Sequence, residues 1–121
     1  MKISKIQELL KAEIICGEDF IDGEVNSACG CDMMSDVLAF VKDQAVLITG
    51  LCNPQVVRTA IMMDMRCIVF VRGKTPSDDV VALAKDAGMV IMKSDERMYV
   101  ACGLLYSNGL LGGECTSWQK A

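Results

Sequence analysis

The chain has 121 residues, 52% of them hydrophobic but only 5% aromatic, and a net charge of −4. That length holds one domain with a core of its own, built from aliphatic, Met and Cys side chains rather than rings. The acidic balance argues against nucleic acid and against an anionic membrane surface as partners, and the absence of histidine removes the Ser-His and Cys-His nucleophile pairs and the usual general base.

Seven cysteines, an odd number, follow an N-terminus without an apolar leader. No stretch reaches the roughly 18 uncharged apolar residues of a membrane span. The expectation is a cytoplasmic protein with free thiols.

In chain order, Ser4-Lys5-Ile6-Gln7 reads as a capping box opening a helix that runs to about Ala12. Glu13 to Cys16 reads as a short strand stopped by Gly17, and Asp22-Gly23 as a turn. Val25 to Asp32 reads as a further strand, weakened by Gly30. Ser35-Asp36 opens a helix. Ala45–Thr49 is a continuously apolar or β-branched run ending in Gly50, and Cys67–Val71 is a second, ending in Arg72-Gly73. Neither alternates, so both faces of each strand should be covered, as in parallel sheets. Between them Asn53 caps a helix whose first position is Pro54 and which extends to about Met65. Ser77-Asp78-Asp79 opens the next helix, closed by Gly88. Val90-Ile91-Met92 is a third apolar strand, and Ser94-Asp95-Glu96 starts the last helix, which ends at Asn108-Gly109.

These elements predict an α/β layered sheet with a βαβαβα parallel core, strands near 45–49, 67–71 and 90–92, plus an N-terminal helix and strands. Residues 1–110 form the single domain, and 111–121, with Cys115 and Trp118, a flexible tail.

The order of elements and several segments resemble the stand-alone DRTGG domain. Ile3 to Gly17 resembles that family's helix–strand entry. Ala28-Cys29-Gly30-Cys31-Asp32-Met33-Met34-Ser35-Asp36 resembles small members encoded near iron-only hydrogenases and sensor kinases. Leu47-Ile48-Thr49-Gly50 and Ile68-Val69-Phe70-Val71-Arg72-Gly73 occupy the two places that name the family, with Leu51-Cys52-Asn53 and Val71-Arg72-Gly73 in place of its eponymous residues. The resemblance implies a fold similar to the N-terminal domain of HPr kinase. It also implies a regulatory or dimerising role, since such domains accompany CBS domains in inorganic pyrophosphatases, and it brings no established catalytic residues.

Three candidate sites follow. The first is the strand-exit edge, where open α/β sheets bind ligands: Thr49, Gly50, Cys52 and Asn53 after one strand, Arg72 and Gly73 (with Lys74) after the next, and Ser94 and Asp95 after the third. Its basic residues and helix start suit a small anionic ligand, although the same residues make ordinary turns and caps. The second is a metal, iron–sulfur or redox site at Cys29, Cys31 and Cys52, the last with a thiol pKa lowered by the helix start; the alternative is that these are small buried hydrophobes. The third is a surface for a second copy or a protein partner, using Met33, Met34, Met62, Met63 and Met65. The leading expectation is a non-catalytic, ligand-sensing homodimer linked to hydrogenase or signalling systems.

Overall fold

The computed structural model describes residues 1–40 and 45–112. The chain runs α1 (Ile3–Leu10), β1 (Glu13–Cys16), a 3-10 turn (Glu18–Phe20), β2 (Ser27–Gly30), α2 (Met34–Phe40), β3 (Ala45–Thr49), α3 (Pro54–Met62), β4 (Cys67–Phe70), α4 (Asp78–Asp86), β5 (Val90–Lys93) and α5 (Met98–Ser107). The strands form one sheet in the order β1-β5-β4-β3-β2. β2 to β5 are parallel, and β1 lies antiparallel on the far edge of β5. The expected parallel core thus gains β2 as a fourth strand, and both N-terminal strands join the same sheet.

Every residue of β3 and β4 is buried, as their unbroken apolar runs require. Alternation splits their side chains between two cores. Val46, Ile48, Cys67 and Val69 pack with Ile3, Ile6 and Leu10 of α1 and Ala101 and Leu105 of α5. Ala45, Leu47, Ile68 and Phe70 pack with Val37 of α2, Val56, Val57 and Ala60 of α3, and Val80 and Ala84 of α4. The three crossover helices therefore share one face of the sheet, while α1 and α5 cover the other. Among the described residues no helix is long and apolar enough to cross a membrane.

Several local expectations need correction. The capping box at Ser4–Gln7 does not form: α1 begins at Ile3, and no side chain caps it. Tertiary partners answer its first amides instead, Ile3 N–H donating to the Gly23 carbonyl (2.9 Å) and Ser4 N–H to the Ile21 carbonyl (2.9 Å). Ser77 occupies the capping position of α4 without a side-chain bond. α3 stops at Met62 rather than Met65, and Asp64 just beyond it has a left-handed backbone (φ 55). Leu110 is buried, and the Leu111 carbonyl accepts the Ala28 amide at 2.9 Å on the outer edge of β2. Cys115 and Trp118 lie outside the described residues.

Gly17, directly after β1, has φ 86, and a Cβ there would lie 2.6 Å from the Met89 carbonyl oxygen and 2.7 Å from Val90 Cα. Gly17→Ala should therefore lower the unfolding free energy by about 2 kcal/mol or more, measured from urea titrations. A loss under about 0.5 kcal/mol, the range of an ordinary surface change, would contradict this packing of the β1–β5 edge.

Candidate functional site: the strand-exit edge

Four parallel strands end on the same side of the sheet, so four loops meet there: Cys31-Asp32 after β2, Gly50 to Asn53 after β3, Val71 to Lys74 after β4, and Ser94 to Glu96 after β5. Each is shaped by local chemistry. Asn53 caps α3 by accepting the Val56 amide (3.3 Å), with Pro54 at the first helical turn as expected. Val71 N–H donates to the Thr49 carbonyl (3.0 Å), extending the β3–β4 ladder past Phe70. The chain then turns sharply: Arg72 (φ 59) and Gly73 (φ 67) are both left-handed. A non-glycine residue there costs about 1 kcal/mol or more. The conformation is held by the β5 exit, where the Arg72 amide donates to the Glu96 carbonyl (2.8 Å) and the Gly73 amide to the Ser94 carbonyl (2.9 Å).

That backbone sends the Arg72 side chain across Gly50. The guanidinium occupies the space a Cβ at Gly50 would need, so a side chain there would push Arg72 aside. Arg72 Nη2 stands 3.9 Å from Asp32 Oδ2, and both side chains are about half exposed (49% and 48%). Asp32 Oδ1 accepts the Thr49 hydroxyl (2.8 Å) and the Gly50 amide (2.8 Å). The Asp32 carboxyl pKa is lowered, chiefly by the Gly50 amide, with the Thr49 hydroxyl and the Arg72 charge adding to it against partial burial. Lys74 and Asp95 are exposed at the same edge, and Asp95 Oδ1 packs against Gly73.

The expected residues do meet here, in different capacities. Gly50, Arg72 and Gly73 line the edge, with Asn53 at the head of α3. Thr49 and Ser94 are buried and serve from beneath. The Thr49 hydroxyl also accepts the Leu51 amide (3.1 Å), while Ser94 Oγ donates to the Leu10 carbonyl (2.8 Å) and accepts the Glu96 amide (3.2 Å). Ser94 thereby locks the β5 exit to the end of α1. Asp32 was not among the predicted site residues. Its signal lies in the register: Ala28 pairs with Val46 and Gly30 with Ile48, which continues to set Asp32 beside Gly50.

Among the described residues the cysteines lie in or against the two cores. Cys29, Cys31 and Cys52 all rest against the core under α2–α4. Burial raises the Cys29 thiol to about 11. Cys52, expected to be lowered, is raised: burial outweighs the opposing charges of Lys74 and Arg72. Cys16 and Cys67 are buried, and Cys102 is half-buried. Among the described residues no group of three or more Cys, Asp or Glu has a metal-holding arrangement. Of the methionines, Met33 (61%) and Met62 (71%) are exposed, while Met34 and Met65 are core.

The pattern of the DRTGG domain matches residues 5–106. The chain belongs to the DRTGG family. The fold of this DRTGG domain is similar to the CBS and DRTGG domains of the regulatory region of a Clostridium perfringens pyrophosphatase, a structure complexed with its activator diadenosine tetraphosphate. The TM-score is 0.70 at 17% identity, over 99% of this chain and 52% of that one, so this DRTGG domain spans about half the length of its structural neighbour. At that identity the likeness speaks for fold. No curated protein matches the chain.

Proposed function

We propose that this DRTGG domain is a non-catalytic regulatory module of the cytoplasm that senses a small anionic ligand at the strand-exit edge and works as a homodimer, in the service of hydrogenase or signalling systems. One observation carries the ligand reading: a left-handed backbone carries the half-exposed Arg72 side chain over Gly50, beside a backbone amide and a buried hydroxyl. A planar guanidinium suits bidentate binding of phosphate or carboxylate. Lys74 adds a second exposed cation. The pyrophosphatase regulatory region, which is similar in fold, has a polyphosphate activator, and nucleotides are therefore the first ligands to try. The chain's lack of histidine supports a sensing rather than a catalytic role.

The dimer reading rests on α5. Met98–Ser107 contains no charged residue, yet Tyr99 (89%), Val100 and Tyr106 are exposed on it. An apolar helix face left in water is characteristic of an interface, and for a chain of net charge −4 an uncharged face is where two copies meet with least repulsion.

A thermal-shift screen with nucleotides, phosphate esters and acyl phosphates should raise the wild-type Tm by ~3 °C or more for at least one class at saturation. The same ligand should give no shift with Arg72→Ala. No shift with any of these ligands would refute the sensing role. Sedimentation equilibrium should return a dimer mass that Tyr99→Glu reduces to the monomer; a wild-type monomer at high micromolar concentration would remove the dimer from the reading.

A further inference from the structure

The donors that make the strand-exit edge an anion site are already in use. Oδ1 of Asp32 takes the Thr49 hydroxyl and the Gly50 amide, each at 2.8 Å, and Oδ2 faces the Arg72 guanidinium at 3.9 Å. A hydroxyl and an amide from β3 and a guanidinium from β4 thus converge on one carboxylate delivered from β2. Hydroxyl, amide and guanidinium are the groups a phosphate or carboxylate ligand would seek. The carboxylate is not deeply set: it is half exposed, and its pair with Arg72 is longer than a hydrogen bond.

We infer that Asp32 is a built-in competitor for this site: an anionic ligand displaces its carboxylate from the Gly50 amide and the Thr49 hydroxyl and takes Arg72 in its place. This rests on the anion-sensing reading above and states how that site is regulated. The edge carries two exposed cations, Arg72 and Lys74, against the carboxylates of Asp32, Asp95 and Glu96, and Asp32 is the one whose oxygen occupies the donors.

Displacement also has a path outward. Asp32 sits two residues before α2, which starts at Met34. The connection is held to the β3 exit by the Cys31 amide on the Ile48 carbonyl (3.0 Å) and by the Asp32 bonds. Met33, between Asp32 and α2, is largely in water, whereas Met34 is buried in the core below. Releasing the carboxylate removes two of the bonds that hold the β2–α2 connection, next to an exposed methionine, so ligand occupancy at the edge is reported at a surface a partner can read.

The test is calorimetric titration of inorganic pyrophosphate into wild type, Asp32→Ala, Asp32→Asn, Asp36→Asn and Arg72→Ala. Asp32→Asn keeps an oxygen for the two hydrogen bonds and guards against loss of fold in Asp32→Ala; circular dichroism checks both. Asp32→Ala should bind about tenfold tighter than wild type or better; Asp32→Asn, which loses the charge but keeps an oxygen on the donors, should fall between Asp32→Ala and wild type; and binding should be lost in Arg72→Ala. Asp36→Asn removes the same charge from the first turn of α2 and should tighten binding no more than about threefold, as for an exposed charge. Binding by the Asp32 variants where wild type shows none supports the same conclusion. Equal gains at Asp32 and Asp36, or wild-type binding that Asp32 variants leave unchanged or weaken, would overturn the competitor and leave the anion site standing. No binding by wild type or by either Asp32 variant would overturn both.

Discussion

Two strands without a single exposed side chain, β3 and β4, set the terms for the rest of the molecule. A strand buried on both faces needs a helical layer on each side, and parallel neighbours need a crossover helix between them. α2, α3 and α4 fill one layer because they are those crossovers, and α1 and α5 close the other. The same constraint fixes the direction of the strands, so that four exits share one edge. Backbone amides and turn residues that could not be tolerated inside the layers gather there.

The edge is ordered by its own contacts. Asp32 joins the β2 exit to the β3 exit, Arg72 leans from the β4 exit over Gly50, and the β5 exit holds Arg72 and Gly73 through the carbonyls of Glu96 and Ser94. Ser94 in turn is fastened to the last carbonyl of α1. The left-handed backbone at Arg72 is affordable because two neighbouring strands over-determine it. Its effect is to place a charged group ahead of any ligand, in a loop that already has little freedom to lose.

Much of this was legible in the residues. Ala45–Thr49, Cys67–Val71 and Val90–Met92 announced buried strands because every position is apolar or β-branched, and Asn53-Pro54 announced the start of α3 because cap and first turn have strict requirements. What escaped depended on partners distant in sequence. Ser4 and Gln7 have the spacing of a capping box, but Gly23 and Ile21 reach the amides first. Thr49 and Ser94 fall at the right edge, yet only the packed sheet shows that they face inward. Cys52 lies beside the start of a helix, and its burial reverses the expected direction of its pKa. Asp32 becomes a site residue only once β2 is known to pair in parallel with β3, and nothing in the string Val71-Arg72-Gly73 distinguishes a left-handed arginine from an ordinary turn.

The proposed function is tied to one location, the edge where the four strands end. A basic groove elsewhere competes for that role, about 520 Å³ in volume and lined by Lys2, Lys5, Ser4, Glu8 and Asn108 between the start of α1 and the end of α5. Backbone amide shift mapping during a pyrophosphate titration separates the two most directly. Perturbed amides should cluster at residues 31–33, 50–53, 72–74 and 94–96. Perturbations confined to residues 2–8 and 108–109, with the strand exits silent, would contradict the proposed location.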